Sequence, residues 1–128
     1  MALKLLYQMD VLGSLEDTDT ETPAQMLQKN RNFFRGLNKT EEGFIIELMQ
    51  KILENKEKID QLIERNLIGW KLERLMAVDR NLLRMGIAES YFNPQKAVII
   101  DDIVRIAKKY GGEESYKIIN ALLDKVIT

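Results

Sequence analysis

Five side chains suited to an anionic polymer crowd into one short stretch. Lys108, Lys109 and Tyr110 precede the pair Gly111-Gly112, and Tyr116 and Lys117 follow it. Lysine ammonium groups neutralise phosphates and tyrosine rings give bases a face to stack on, so the mixture suits a single-stranded nucleic acid whose bases are free. Spacing indicates how the chain presents them. A helix that begins near Val98 carries Ile99, Ile100, Ile103, Ile106, Ala107 and Tyr110 along one stripe. The paired glycines can supply the positive φ at which helices stop, and Ile118, Ile119, Leu122, Leu123 and Val126 then resume the helical period. Glu113 and Glu114 stand where the partial positive charge of a new helix N-terminus favours acids. The stretch reads as a helix-helix corner with cations, aromatic faces and backbone N–H groups at its tip.

Other chemistries lack their residues. The chain has no cysteine and no histidine, which removes disulfides, thiol nucleophiles, Ser-His catalysis and nearly all transition-metal sites. Asp101 and Asp102 are adjacent on a predicted helix, but neighbouring helical positions point in different directions and cannot converge on one ion without partners. They read as solvated charges. No phosphate-cradling Gly-Lys-Ser/Thr loop, nucleophile elbow or dinucleotide fingerprint is present, so neither an active site nor a cofactor or metal is expected. The net charge of −1 and an isoelectric point near 5.6 give no general attraction to nucleic acid. Binding would have to rest on a local patch.

The elements that must position the corner are helices. At 128 residues, 45% apolar and 30% charged, the chain has the size and composition of one domain with an ordinary core. Residues 1 to 13 place Leu3, Leu6, Tyr7 and Met9 near one helical face, residues 14 to 23 form an acidic, solvated loop, and Met26, Leu27, Phe33, Phe34 and Leu37 suggest a further helix among Lys29, Arg31, Arg35 and Lys39. Asn38 and Glu41 make a capping-box start for a helix whose core stripe is Phe44, Ile45, Leu48, Met49, Ile52 and Leu53. Ile59, Leu62 and Ile63 lie among charges of alternating sign on the next helix, which Trp70 follows as a hinge-packing residue. Leu72, Leu75 and Met76 suggest a short helix, and Asp79 is read as the cap of another that buries Leu82, Leu83, Gly86, Ile87 and Tyr91. A glycine in mid-helix costs about 1 kcal/mol against alanine, so Gly86 marks a close helix-helix approach. The result is about seven helices, no strand pattern and no linker dividing two domains. No run of roughly 18 apolar residues and no signal segment appear, so the reading is cytoplasmic.

Three blocks resemble one family. Lys108 to Lys125 is similar to the C-terminal signature of the NusB family of bacterial transcription antitermination factors, Lys-x-Tyr/Phe-Gly-x-Glu-x-Ser-x-Lys-Phe-Val-Asn-Gly-Val-Leu-Asp-Lys, with its spacing kept. Ala2 to Asp10 resembles the family's first helix, and Leu83 to Glu89 its Leu-Arg-x-Ala-x-x-Glu helix. The resemblance covers nearly all of residues 1–128 and implies an all-α fold of two small helical bundles packed at an angle. It implies single-stranded RNA lying between the first and last helices, against Lys4, Tyr7, Tyr116, Lys117 and Ile118. It also implies a partner, the ribosomal small-subunit protein that doubles as NusE, against Glu73, Asp79 and Arg80. The expected function is non-catalytic: binding the boxA element of ribosomal RNA leader transcripts with that partner in the transcription elongation complex. The alternative is a NusB-like interaction module without boxA affinity. Family members usually carry arginines just before the first block, and Met1 stands where that basic arm would end, so the expectation is either that the arm is absent or that the true start lies upstream of Met1.

Overall fold

The computed structural model describes residues 38–67 and 75–127. These residues fold into five helices: α1 Lys39–Glu54, α2 Lys56–Asn66, α3 Ala77–Ser90, α4 Lys96–Tyr110 and α5 Ser115–Val126, with no strand among them. The expected helix over residues 1 to 13, the one from Ala24 to Leu37, Trp70 and most of the short segment at 72–76 lie outside the described residues. So does part of what a two-bundle arrangement would need.

α1 starts as its residues require. Asn38 Oδ1 accepts from the Glu41 N–H at 2.8 Å, and Glu41 Oε1 accepts from the Asn38 N–H at 3.4 Å. This reciprocal box satisfies donors that a helix start would leave open. Its buried stripe is Ile45, Leu48, Met49 and Ile52; α2 contributes Ile59 and Ile63, α4 contributes Ile99, Ile103 and Ala107, and α5 contributes Ile119, Leu122 and Leu123.

All four helices pack against α3. Every residue from Asn81 to Glu89 is buried, so α3 is the axis of the described core rather than a one-faced helix. Its polar members are paired. Arg84 lies 4% exposed and donates from Nε and Nη2 to the two Asp60 oxygens at 2.8 and 3.1 Å, and from Nη1 to Asn81 Oδ1 at 3.0 Å. Such forked pairing of α2 with α3 keeps a buried guanidinium from being left uncompensated. Gly86 faces α5 and α4: a Cβ built there would lie 3.0 Å from both Leu123 methyl carbons and 3.5 Å from Ile103 Cγ1. The close approach expected from the sequence is present.

Three details differ from expectation. Phe44, read as part of the α1 core stripe, is 43% exposed, its ring meeting that of Phe92 edge-on at 5.9 Å. Met76, in extended conformation, precedes α3 as its N-cap with no side-chain cap, and Asp79 sits inside the first turn. Tyr91 closes α3 but is exposed, with Lys58 Nζ 5.3 Å from its ring centre. Among the described residues no helix is long and apolar enough to cross a membrane.

Candidate nucleic-acid interface

α4 ends on Lys108 and Lys109, cations placed where unpaired carbonyls carry partial negative charge. Gly111 caps it at φ −86°, ψ −179°, donating its N–H to Ala107 O at 2.8 Å. Neither Gly111 nor Gly112 uses the positive φ expected of them. Crowding explains Gly111 instead. A Cβ there would stand 2.8 Å from the Ala107 carbonyl oxygen, 2.9 Å from Ser115 Cβ and 3.1 Å from Asp79 Oδ1.

The turn is held from below. Ser115, the buried first residue of α5, accepts the Gly112 N–H on its hydroxyl at 2.8 Å and donates to Asp79 Oδ2 at 2.9 Å. Asp79 Oδ1 is buried with no hydrogen-bond partner. Burial pushes the Asp79 carboxyl above its ordinary value, and the Ser115 hydrogen bond pulls the other way without cancelling it.

Above this footing the corner gathers its cations around an aromatic ring. Lys108 Nζ stands 5.0 Å from the Tyr116 ring centre and Lys117 Nζ 5.9 Å from it, both in cation-π range. Tyr116 is half-buried against the core. Lys117 also pairs with Glu114 at 3.0 Å, both side chains well exposed, and an exposed pair of this kind is worth too little to hold the ammonium from a phosphate. Ile118 is 51% exposed and adds apolar surface beside them.

Tyr116, Lys117 and Ile118 therefore share the first turn of α5, as expected; Lys4 and Tyr7 lie outside the described residues. Lys108 belongs to the same cluster through its contact with Tyr116. Tyr110, read from spacing as part of the α4 core stripe, is instead 53% exposed, with Lys109 Nζ 5.2 Å from its ring. Its signal in the sequence was its place at a helix end beside two lysines. On the expected partner face, Arg80 Nη1 donates to Leu75 O at 2.8 Å, Asp79 turns its carboxylate inward to the α4–α5 turn, and Glu73 lies outside the described residues. Asp101 accepts from Arg105 at 2.7 Å on the surface, and no group of three or more acidic side chains that could hold a metal exists among the described residues.

Helices around a buried axis, with a lysine-tyrosine corner at one end, make this an all-helical fold. The chain belongs to the NusB family, whose model matches residues 1–128. That family is one of non-enzymatic transcription antitermination factors. The transcription antitermination protein NusB of Myxococcus xanthus is 35% identical over 130 residues, spanning 98% of this chain and 88% of that protein. Its counterpart in Desulfotalea psychrophila is 35% identical over 131 residues, spanning 99% and 90%. Among solved structures, T. maritima NusB matches with a TM-score of 0.80 at 32% identity, covering 98% of this chain and 84% of that one. A chain from the crystal structure of a plectonemic RNA supercoil matches at 0.82 and 30% identity, covering 98% and 87%.

Proposed function

We propose that the chain binds the boxA element of nascent ribosomal RNA leader transcripts as single-stranded RNA, together with the NusE-like ribosomal small-subunit protein, within the cytoplasmic transcription elongation complex. The observation that carries this reading is the α4–α5 corner, where Lys108 and Lys117 flank Tyr116 at 5.0 and 5.9 Å in a member of an antitermination family. Cations around an aromatic ring match a single strand, which presents phosphates and unstacked bases together. A relative of known structure comes from the crystal structure of an RNA supercoil, which supports RNA as the ligand class. Lys4 and Tyr7 would extend the surface from the first helix. The partner would meet the approach to α3, through Glu73 and Arg80; Asp79, expected on the same face, turns its carboxylate inward to Ser115 instead.

The test is binding of a boxA-containing oligonucleotide and a scrambled one, with and without the NusE-like protein. The boxA sequence should bind more tightly when the partner is present. Equal binding of both sequences with partner would sink this reading and favour an interaction module without boxA affinity, a reading that the overall acidic balance of the chain also suits.

A further inference from the structure

We propose that Asp79 is a positioning residue for RNA binding: from the first turn of α3 it holds the α4–α5 corner, through Ser115 and the Gly112 N–H, in the arrangement that brings Lys108, Tyr116 and Lys117 together. This rests on the reading of that corner as an RNA surface.

The hydrogen-bond chain is directional. The single hydroxyl proton of Ser115 goes to Asp79 Oδ2, which leaves a lone pair turned to the Gly112 N–H. Without the carboxylate the hydroxyl is free to rotate and the turn loses its tie to α3. That tie links the buried axis of the core to an exposed turn, and Ser115 is followed at once by Tyr116 and Lys117. The approach is tight as well as bonded, since a Cβ at Gly111 would stand 3.1 Å from Asp79 Oδ1. Charge argues against a direct role. A carboxylate beside a phosphate-binding corner repels the ligand, and Asp79 Oδ1 has no compensating partner. Its contribution to binding is therefore geometric.

The experiment measures affinity of the full chain for a boxA-containing single-stranded RNA across a salt series, with circular dichroism confirming the fold of each variant. Asp79→Ala and Ser115→Ala should each weaken binding by about tenfold, the effect of one hydrogen bond to a charged group. The slope of log affinity against log salt should stay at its wild-type value, because no phosphate contact is removed. Asp79→Asn keeps an oxygen for the Ser115 hydroxyl and should bind as wild type or slightly tighter. A residue serving stability alone would lower the melting temperature of Asp79→Ala without moving RNA affinity below that temperature, and that result overturns the proposal. So do equal shifts for Ala and Asn, which would show that charge alone acts. If Asp79→Ala does not fold, Ser115→Ala decides: wild-type affinity in that variant overturns the positioning role, and a tenfold loss at constant slope supports it. Wild-type protein that binds no RNA removes the surface reading and this role with it, whereas wild-type binding with unaffected variants removes the positioning role alone.

Discussion

Asp79 has one carboxylate oxygen on the Ser115 hydroxyl and the other buried without a partner, and this makes it a source of pH dependence in stability. Burial raises its folded pKa above the ordinary 3.8, so between the two values the folded chain binds more protons than the unfolded one. Stability from this group is fully present below the unfolded pKa and is lost as pH rises through the raised folded value. Asp79→Asn lacks the titration. The difference in denaturant midpoint between Asp79→Asn and wild type should therefore shift in favour of the variant as pH rises from about 4 to about 7, while contributions of all other carboxylates cancel. A difference constant across that range would show that Asp79 titrates normally. On the RNA surface, Lys117→Ala should weaken binding to all RNAs alike and flatten the salt slope by about 0.7, whereas Tyr116→Ala should remove a stacking contact of roughly 1–3 kcal/mol and leave the slope unchanged. Identical slopes for Lys117→Ala and wild type would mean that Lys117 meets no phosphate. Lys117 was legible from the sequence as a cation of the corner, whereas spacing put Ile118 in the apolar stripe of α5 and only the family resemblance named it at the surface, where it is 51% exposed. The contact between Asp79 and Ser115 was not legible, since it joins residues 36 positions apart and has no local pattern to betray it.

At the scale of elements, two glycines illustrate different reasons for having no side chain. Gly86 lets α3 meet α5, and its absent Cβ would press on Leu123 methyl groups at 3.0 Å, atoms at the end of a movable side chain. Gly86→Ala thus sets a gain in helix propensity of about 1 kcal/mol against a small displacement. Gly86→Leu has no such room and should destabilise by about 1–3 kcal/mol through overpacking; a denaturant midpoint at or above wild type would refute the packing. Gly111 confronts backbone instead, at 2.8 Å from the Ala107 oxygen, which cannot swing aside. Gly111→Ala should therefore lower the denaturant midpoint more than Gly112→Ala, whose nearest neighbour is the Ser115 hydroxyl at 3.3 Å. The order reversed would mean that the turn relaxes around residue 111. The sequence announced helices clearly, through apolar residues three and four apart, the Asn38 capping box and the mid-helix glycine. It hid the burial of α3 on all sides. Asn81, Arg84 and Glu89 look like a solvated face in a periodicity argument, and their burial is offset by pairing: Arg84 with Asp60 from α2 and with Asn81, Asn81 also with the Ala77 carbonyl, and Glu89 with Asn93 beyond the helix end. Tyr110 had two places in the sequence, at the corner and at the end of the α4 stripe; its exposure fits the first and not the second, because the packing that buries the stripe has ended there.

The whole molecule carries a net charge of −1, so its long-range field does not draw in RNA, and attraction must come from local groups acting within about 10 Å at ordinary salt. Among the described residues the corner supplies such groups, with Lys108, Lys109 and Lys117 near Glu113 and Glu114 in the chain and Lys117 paired to Glu114. If each lysine reached one phosphate, the slope of log affinity against log salt would be about −2, because each contact on a single strand contributes about 0.7. Binding so lightly anchored in counterion release should be weak for the chain alone and should gain strongly from a partner that adds its own contacts to the same RNA. Association should therefore be measured over a salt series for the free chain and for its complex with the NusE-like protein. With Lys4 added to the three corner lysines, the expected outcome is a slope no steeper than about −3 for the free chain and a steeper one for the complex, with the extra phosphate contacts supplied by the partner. A slope near −5 for the free chain would place most of the phosphate contacts outside the α4–α5 corner. In that case Lys108→Ala, Lys109→Ala and Lys117→Ala combined would leave most of the salt dependence standing.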